Sequence, residues 1–240
     1  RCDLRNTLRE RLWLSGFCCG SPFGLSGKGH VYTVVGVSES RAFRVLWALE
    51  ELDIPYEHRP SRPPTLDSRA RDRANKAPVM IEDGETLTDP IAIVQYLADK
   101  HGGLTHPAGT LARLRQDSLT HLILEELEGP LWDAARHSVI LPQILRSPSV
   151  FESLLWEYSR ALQRISEKIS PKAWLAGDRF TVPDIMLVHC ILWASLADFP
   201  KPPASLAAYL LRVKGRDAFR RLIAKGSAQV GDCLLYTSLS

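Results

Sequence analysis

The chain of 240 residues is 45% hydrophobic and 24% charged, with a formal charge of +3, the balance of a soluble globular protein long enough to bury a core in one large or two small domains. So small a charge, with the arginines scattered rather than massed, argues against a nucleic-acid partner. No run approaches the roughly 18 apolar residues that would argue for a membrane span, and five cysteines without a C-x-x-C or a zinc-type Cys/His spacing offer neither a dithiol nor a metal site.

Residues 1–30 show no sustained hydrophobic period. Their "LWLSGFCCG" is interrupted by Ser and Gly and lacks a small-x-small cleavage pattern, which argues against a signal peptide. The closing "DCLLYTSLS" resembles translated cloning or adapter sequence. Both 1–30 and 228–240 are expected to stand outside the fold.

"HVYTVVGV" (30–37) is β-branched and apolar and reads as a buried strand that breaks at "SES". In "SRAFRVLWALEELDIPYE", Ala42, Val45, Leu46, Leu49 and Leu52 recur at helical spacing, with Arg41, Arg44, Glu50 and Glu51 mainly on other faces. "IPYEHRP" reads as a short edge strand and "PTLDSRARDRAN" as a short exposed helix or irregular segment. "PVMI", the turn Asp83-Gly84 and "TLT" form a hairpin. "DPIAIVQYLADKHGG" is then a helix with Ile93, Tyr96 and Leu97 on one face and Gly102-Gly103 closing it. The order β-α-β-α-β-β-α predicts an α/β unit with a mixed sheet over 31–102.

"HGGLTHPAG" marks a junction, and from 107 to 226 only helical patterns follow, among them Leu111, Leu114, Leu119, Leu122, Ile123, Leu127 and Leu131. In "GDRFTVPDIMLVHCILWA", Thr181 and Asp184 match a capping box, with Phe180 and Ile185 placed as a hydrophobic staple. Asp184 is therefore structural rather than catalytic, and Cys190 in the same run is a buried thiol.

An α/β unit followed by a helical domain with this box resembles the cytosolic glutathione transferase superfamily, bacterial serine-type members in particular. The carrying residues are "SRAFRVLWALEELDIPYE", "NKAPVMIEDGETLTDPIAIVQYLADKHG" and "LAGDRFTVPDIMLVHC", with "PAGTLARLRQD" and "WDAARHSVILP" between. They cover about 31–225. The resemblance implies a thioredoxin-like glutathione-binding domain plus an all-α domain, a cytoplasmic homodimer, no metal, and glutathione as co-substrate for attack on a small hydrophobic electrophile.

It also implies sites. Pro78 would be cis, leaving the main-chain groups of Ala77 free to pair with glutathione as a strand would. Asp89 would meet the γ-glutamyl ammonium. Pro90 departs from the family's Ser or Thr, removing an O–H and an N–H donor from the γ-glutamyl carboxylate. The thiolate needs a hydroxyl donor in the turn before the first helix. That turn, "VSESRAF", contains no Cys, and Tyr32 lies inside the strand. Ser40 is favoured as the catalytic residue and Ser38 stands second, either of them being alternatively a helix cap. Arg41 would add its field to the glutathione pocket. Trp132, Arg136 and His137 fall in the region of the electrophile without being assigned to it. The alternative is a non-catalytic binding or scaffold protein of the same fold, which Pro90 favours.

Overall fold

The computed structural model describes residues 32–60, 78–169 and 174–229. The expected segment 64–75 and the stretches 1–31 and 230–240 lie outside them. Strand β1 (Tyr32–Val35) pairs in parallel with β2 (Tyr56–Arg59) and antiparallel with β3 (Val79–Glu82), which pairs antiparallel with β4 (Glu85–Thr88). The spatial order is β2-β1-β3-β4. Tyr32 faces Tyr56 in the parallel pair, and Val34 faces Met80 across the antiparallel one. The β3–β4 turn needs positive φ at both central residues, which Asp83 (49°) and Gly84 (86°) supply.

Helix α1 (Ala42–Glu51) follows β1, and α2 (Pro90–His101) follows β4. Gly102 closes α2 in the left-handed conformation, φ 70°, with its N–H on the Ala98 carbonyl. The remaining described α-helices are α3 (Leu111–Ile123), α4 (Gly129–Ala135), α5 (Phe151–Lys168), α6 (Val182–Leu196), α7 (Ala207–Lys214) and α8 (Asp217–Gln229). The fold is thus a small mixed α/β sheet domain followed by an all-helical one.

Three expectations change on contact with tertiary structure. Helix α1 was to turn Arg44 and Glu50 outward, yet every residue from Ala42 to Glu50 is buried. The reason is that α1 packs against β1 and α2, and also against α6 and α8 of the helical domain. Tyr96 was placed on the apolar face of α2 but is half-exposed, its hydroxyl donating to Glu82 at 2.7 Å. The leucine stripe of α3 does not all face the core: Leu111 is 71% and Leu114 64% exposed, whereas Gln116, Thr120 and Ile123 are buried. Helix α3 continues through a π turn, Leu124–Glu128, into α4. There the Gly129 N–H reaches the Leu124 carbonyl five residues back, and Pro130 has no amide to continue the usual ladder. Leu127 and Glu128 of this turn are buried.

The box at α6 forms as expected. Asp184 is fully buried and accepts from the Thr181 amide (2.8 Å), the Thr181 hydroxyl (3.1 Å), the Leu175 amide (2.9 Å) and the Tyr209 hydroxyl (2.8 Å). Burial pushes its carboxyl up, and these four donors oppose that rise. Cys190 on α6 is a buried free thiol, pushed up to about 12 by burial.

Candidate active site

The turn between β1 and α1 holds both candidate serines and sends them to different places. Ser40 lines a cleft of about 270 Å³ together with Glu39, Arg41, Trp132, His189, Leu192, Trp193 and Leu196. Ser38 is buried, at 6% exposure, and lines a separate cavity of about 360 Å³ with Tyr56, His58, Leu222, Lys225 and Gly226. A methyl group on Gly226 would stand 3.6 Å from the Ser38 hydroxyl, so α8 lies close over that residue.

Ser40 is held by its own backbone neighbourhood. Its hydroxyl donates to the Val37 carbonyl at 2.7 Å and accepts from the Ala42 amide at 3.2 Å. Its main-chain N–H meets the same Val37 carbonyl at 3.0 Å, and its carbonyl accepts from the Phe43 amide at 3.0 Å. The hydroxyl thus takes the first amide of α1, although the N-cap position itself is Arg41, with no side-chain cap. The acceptor contact to Ala42 places the oxygen at the positive end of α1, and its proton points at a carbonyl that a stronger acceptor could replace.

One wall of the cleft is aromatic. Trp132 of α4 and Trp193 of α6 meet edge to face with centroids 6.3 Å apart. The Arg41 guanidinium lies 4.6 Å above the Trp132 ring and 3.6 Å from Glu128. Arg136 and His137 do not line this cleft: Arg136 pairs with Asp133 at 3.1 Å, and His137 accepts the Ser147 amide at 3.1 Å.

Beneath the cleft lies a group that periodicity did not reveal. Arg44 is fully buried, its Nη1 donating to Glu128 at 2.8 Å, its Nε to His189 Nδ1 at 3.1 Å, and its Nη2 directed at Cys190 Sγ at 3.8 Å. Burial first, and then the Arg44 charge, hold the His189 imidazole well below its ordinary value, so it is neutral. Its one sequence-level signal was a polar residue inside the apolar run "MLVHCILW".

The other expected residues stand elsewhere. Pro78 is buried at the entrance to β3, while Ala77 lies outside the described residues. Asp89, φ 68°, caps α2 by accepting the Ile91 and Ala92 amides at 2.9 Å each, all through Oδ1. Its Oδ2 has no hydrogen-bond partner among the described residues. Pro90 is buried at the first position of α2. Neither Pro78, Asp89 nor Pro90 lines the Ser40 cleft.

A four-stranded mixed sheet carrying a hydroxyl turn at the first helix, joined to a helical domain that walls the same cleft, is a two-domain architecture of mixed sheet plus helices. Residues 40–105 match the glutathione S-transferase N-terminal domain and residues 135–211 the glutathione S-transferase C-terminal domain. The chain belongs to the glutathione S-transferase superfamily. Glutathione S-transferase GstA of Escherichia coli O157:H7 is 29% identical over 118 residues, a match spanning 48% of this chain and about half (55%) of that relative. Glutathione S-transferase 3 of Schizosaccharomyces pombe is 24% identical over 206 residues, 77% of this chain and 83% of the relative. Among solved structures, the theta class glutathione S-transferase of Xanthomonas axonopodis pv. citri with glutathione bound superposes with a TM-score of 0.67 at 23% identity, covering 80% of this chain and 96% of that one. The bacterial transferase BphK, in a ternary complex, gives 0.71 at 23% identity over 81% of this chain and 99% of its own.

Proposed function

We propose that the chain is a glutathione transferase that holds the thiol of glutathione as thiolate at Ser40 for attack on a small hydrophobic electrophile. The observation that carries this reading is the Ser40 hydroxyl, at the positive end of the buried helix α1, on the lip of a cleft walled by Trp132, Trp193, Leu192 and Leu196. The Ser40 O–H would leave the Val37 carbonyl for the stronger, charged acceptor, while the α1 end adds a positive partial charge. Both stabilise the thiolate over the thiol, which lowers the thiol's pKa and raises the nucleophilic fraction near neutral pH. The sulfur then forms a bond to the electrophilic carbon as that carbon's bond to its leaving group breaks. The apolar and aromatic wall receives the electrophile.

In this reading Ala77, at a cis Pro78 bond, pairs with the cysteinyl backbone, and Asp89 Oδ2 receives the γ-glutamyl ammonium. Arg41 adds positive field beside the sulfur. The cytoplasmic homodimer belongs to the same reading. Turnover of chloronitroarenes, epoxides and peroxides with glutathione tests the proposal, with Ser40→Ala and Ser38→Ala beside the parent. Ser40→Ala is expected to lose about 10- to 100-fold, the worth of one hydrogen bond to a charged group, and Ser38→Ala far less. Undiminished activity in Ser40→Ala removes Ser40 from the mechanism.

A specific observation favours a second reading, that of a non-catalytic scaffold. The first free amides of α2, on Ile91 and Ala92, are already taken by Asp89, and Pro90 offers none. Titration calorimetry separates the two: no heat at millimolar glutathione selects the scaffold.

A further inference from the structure

Arg41 lines the Ser40 cleft with its donors unspent. Its guanidinium lies 4.6 Å over the Trp132 ring of α4 and makes no hydrogen bond among the described residues. Its one ion pair there is the 3.6 Å approach to Glu128 Oε1, too long for a hydrogen bond. Glu128 is committed elsewhere, because its other oxygen accepts from the fully buried Arg44 at 2.8 Å. One carboxylate thus serves two guanidiniums, which leaves a positive charge in excess. That excess faces the cleft at Arg41, whose side chain is 22% exposed against 0% for Arg44. The neighbouring titratable groups do not pair with it. His189 is neutral, and Glu39, which also lines the cleft, forms no ion pair with either arginine among the described residues. A fork of N–H donors set between aromatic rings calls for an oxygen acceptor from outside the chain.

Resting on the transferase reading above, we propose that Arg41 determines specificity for the second substrate, and that this substrate is an aromatic electrophile carrying a carboxylate. Trp132 and Glu128 fix where the guanidinium lies before the substrate arrives, as bidentate recognition of a carboxylate requires. Trp193, Leu192 and Leu196 offer the ring an apolar wall. Arg41 follows Ser40 in the chain, so a sulfur held at Ser40 and an oxygen held at Arg41 are about one arginine side chain apart. That is the span of a single ring with one substituent at each end. With a chloromethyl benzoate, the thiolate forms the C–S bond as the C–Cl bond breaks, and chloride leaves with the bonding pair. The carboxylate takes no part in the bond changes and sets which carbon faces the sulfur. This role differs from the positive field that Arg41 adds beside the sulfur. The field acts on every electrophile alike, whereas the fork acts only on one that brings the oxygens.

The test pairs two electrophiles of nearly equal size, para-(chloromethyl)benzoate and para-methylbenzyl chloride. For each, kcat/KM with glutathione is divided by the uncatalysed rate, in the parent, Arg41→Gln and Arg41→Lys. The parent is expected to favour the benzoate about tenfold or more, the worth of a charge-assisted pair. Arg41→Gln should lose that preference, and Arg41→Lys, which keeps the charge without the fork, should retain only part of it. A fall in both rates together reports the lost field at the sulfur and leaves the ratio between them unchanged. A parent that does not favour the benzoate overturns the proposal, as does an Arg41→Gln protein with the parent's ratio. Should Arg41→Gln not fold, the parent and Arg41→Lys decide by the same ratio. A parent that turns over neither electrophile fails the transferase reading, and tryptophan fluorescence then reads the anion site alone. Quenching by para-ethylbenzoate, but not by the neutral para-ethylbenzyl alcohol, supports the site at Arg41; an equal response to the two overturns it.

Discussion

Replacing Pro90 by serine asks how far the start of α2 limits glutathione binding. In the present chain Asp89 Oδ1 consumes the Ile91 and Ala92 amides, and the proline contributes no donor. Serine at this position adds a hydroxyl and a main-chain N–H at the positive end of a helix of twelve residues, where a carboxylate is favoured. Two new hydrogen bonds to the γ-glutamyl carboxylate give about 1–3 kcal/mol in total, or roughly 5- to 150-fold tighter binding. The same change removes a buried pyrrolidine ring and frees the unfolded chain, costing about 1–2 kcal/mol of stability. Pro90→Ser should therefore bind glutathione more tightly while melting slightly earlier, by calorimetry and thermal denaturation respectively. Affinity unchanged within twofold, with helical content preserved, refutes the claim that this end of α2 meets the γ-glutamyl group.

Three further outcomes follow from the buried polar groups. His189 is neutral in the folded protein but takes up a proton near pH 6.5 when unfolded, so its contribution to stability is complete above that pH and declines as pH falls below it; melting temperatures from pH 8 to 5 should drop less steeply in His189→Gln. Arg44→Ala leaves Glu128 buried without its 2.8 Å partner, a loss of about 3–5 kcal/mol in denaturant titration. The double change of Arg44→Met with Glu128→Leu should recover most of that loss, and a single-variant cost under about 1 kcal/mol contradicts the assigned burial. Glu50 has burial working to raise its carboxyl, yet Lys225, Tyr56 and Arg221 hold it below the usual range. Glu50→Gln should loosen α8 from α1, read as faster amide hydrogen exchange over 217–226 at unchanged exchange in β1.

Much of this architecture was legible because its signals are local. The Asp83-Gly84 turn, the Gly102 stop and the Thr181/Asp184 box each act within a few residues, and each forms as the sequence predicts. The change from strands to helices at 101–109 was equally plain. Arg44 and His189 were not legible, because they are 145 residues apart and each satisfies the other inside a core that neither pattern describes. Periodicity counts a charged residue as a solvent face, and that rule fails where a helix is covered on both sides. The α3 stripe misled for a second reason: its first leucines, Leu111 and Leu114, stand exposed while the polar Gln116 and Thr120 take buried positions, so apolar spacing alone did not mark the covered face. For the candidate site, a hydroxyl turn could be named from "VSESRAF", but the separation of Ser40 from Ser38 required the backbone. Trp193 and Leu192 reach the cleft from α6, far along the chain from that turn, and only the packing of α6 against α1 brings them there.

The claim on which the functional account rests is that the Ser40 hydroxyl stabilises a charged sulfur. Its most direct test is the pKa of the glutathione thiol bound to the parent protein, followed by thiolate absorbance and repeated in Ser40→Ala. One hydrogen bond to a charged acceptor is worth about 1.5–3 kcal/mol, or roughly one to two pH units, so the bound thiol should titrate that much lower in the parent than in Ser40→Ala. Identical titration of the two proteins, both with glutathione bound, contradicts the account.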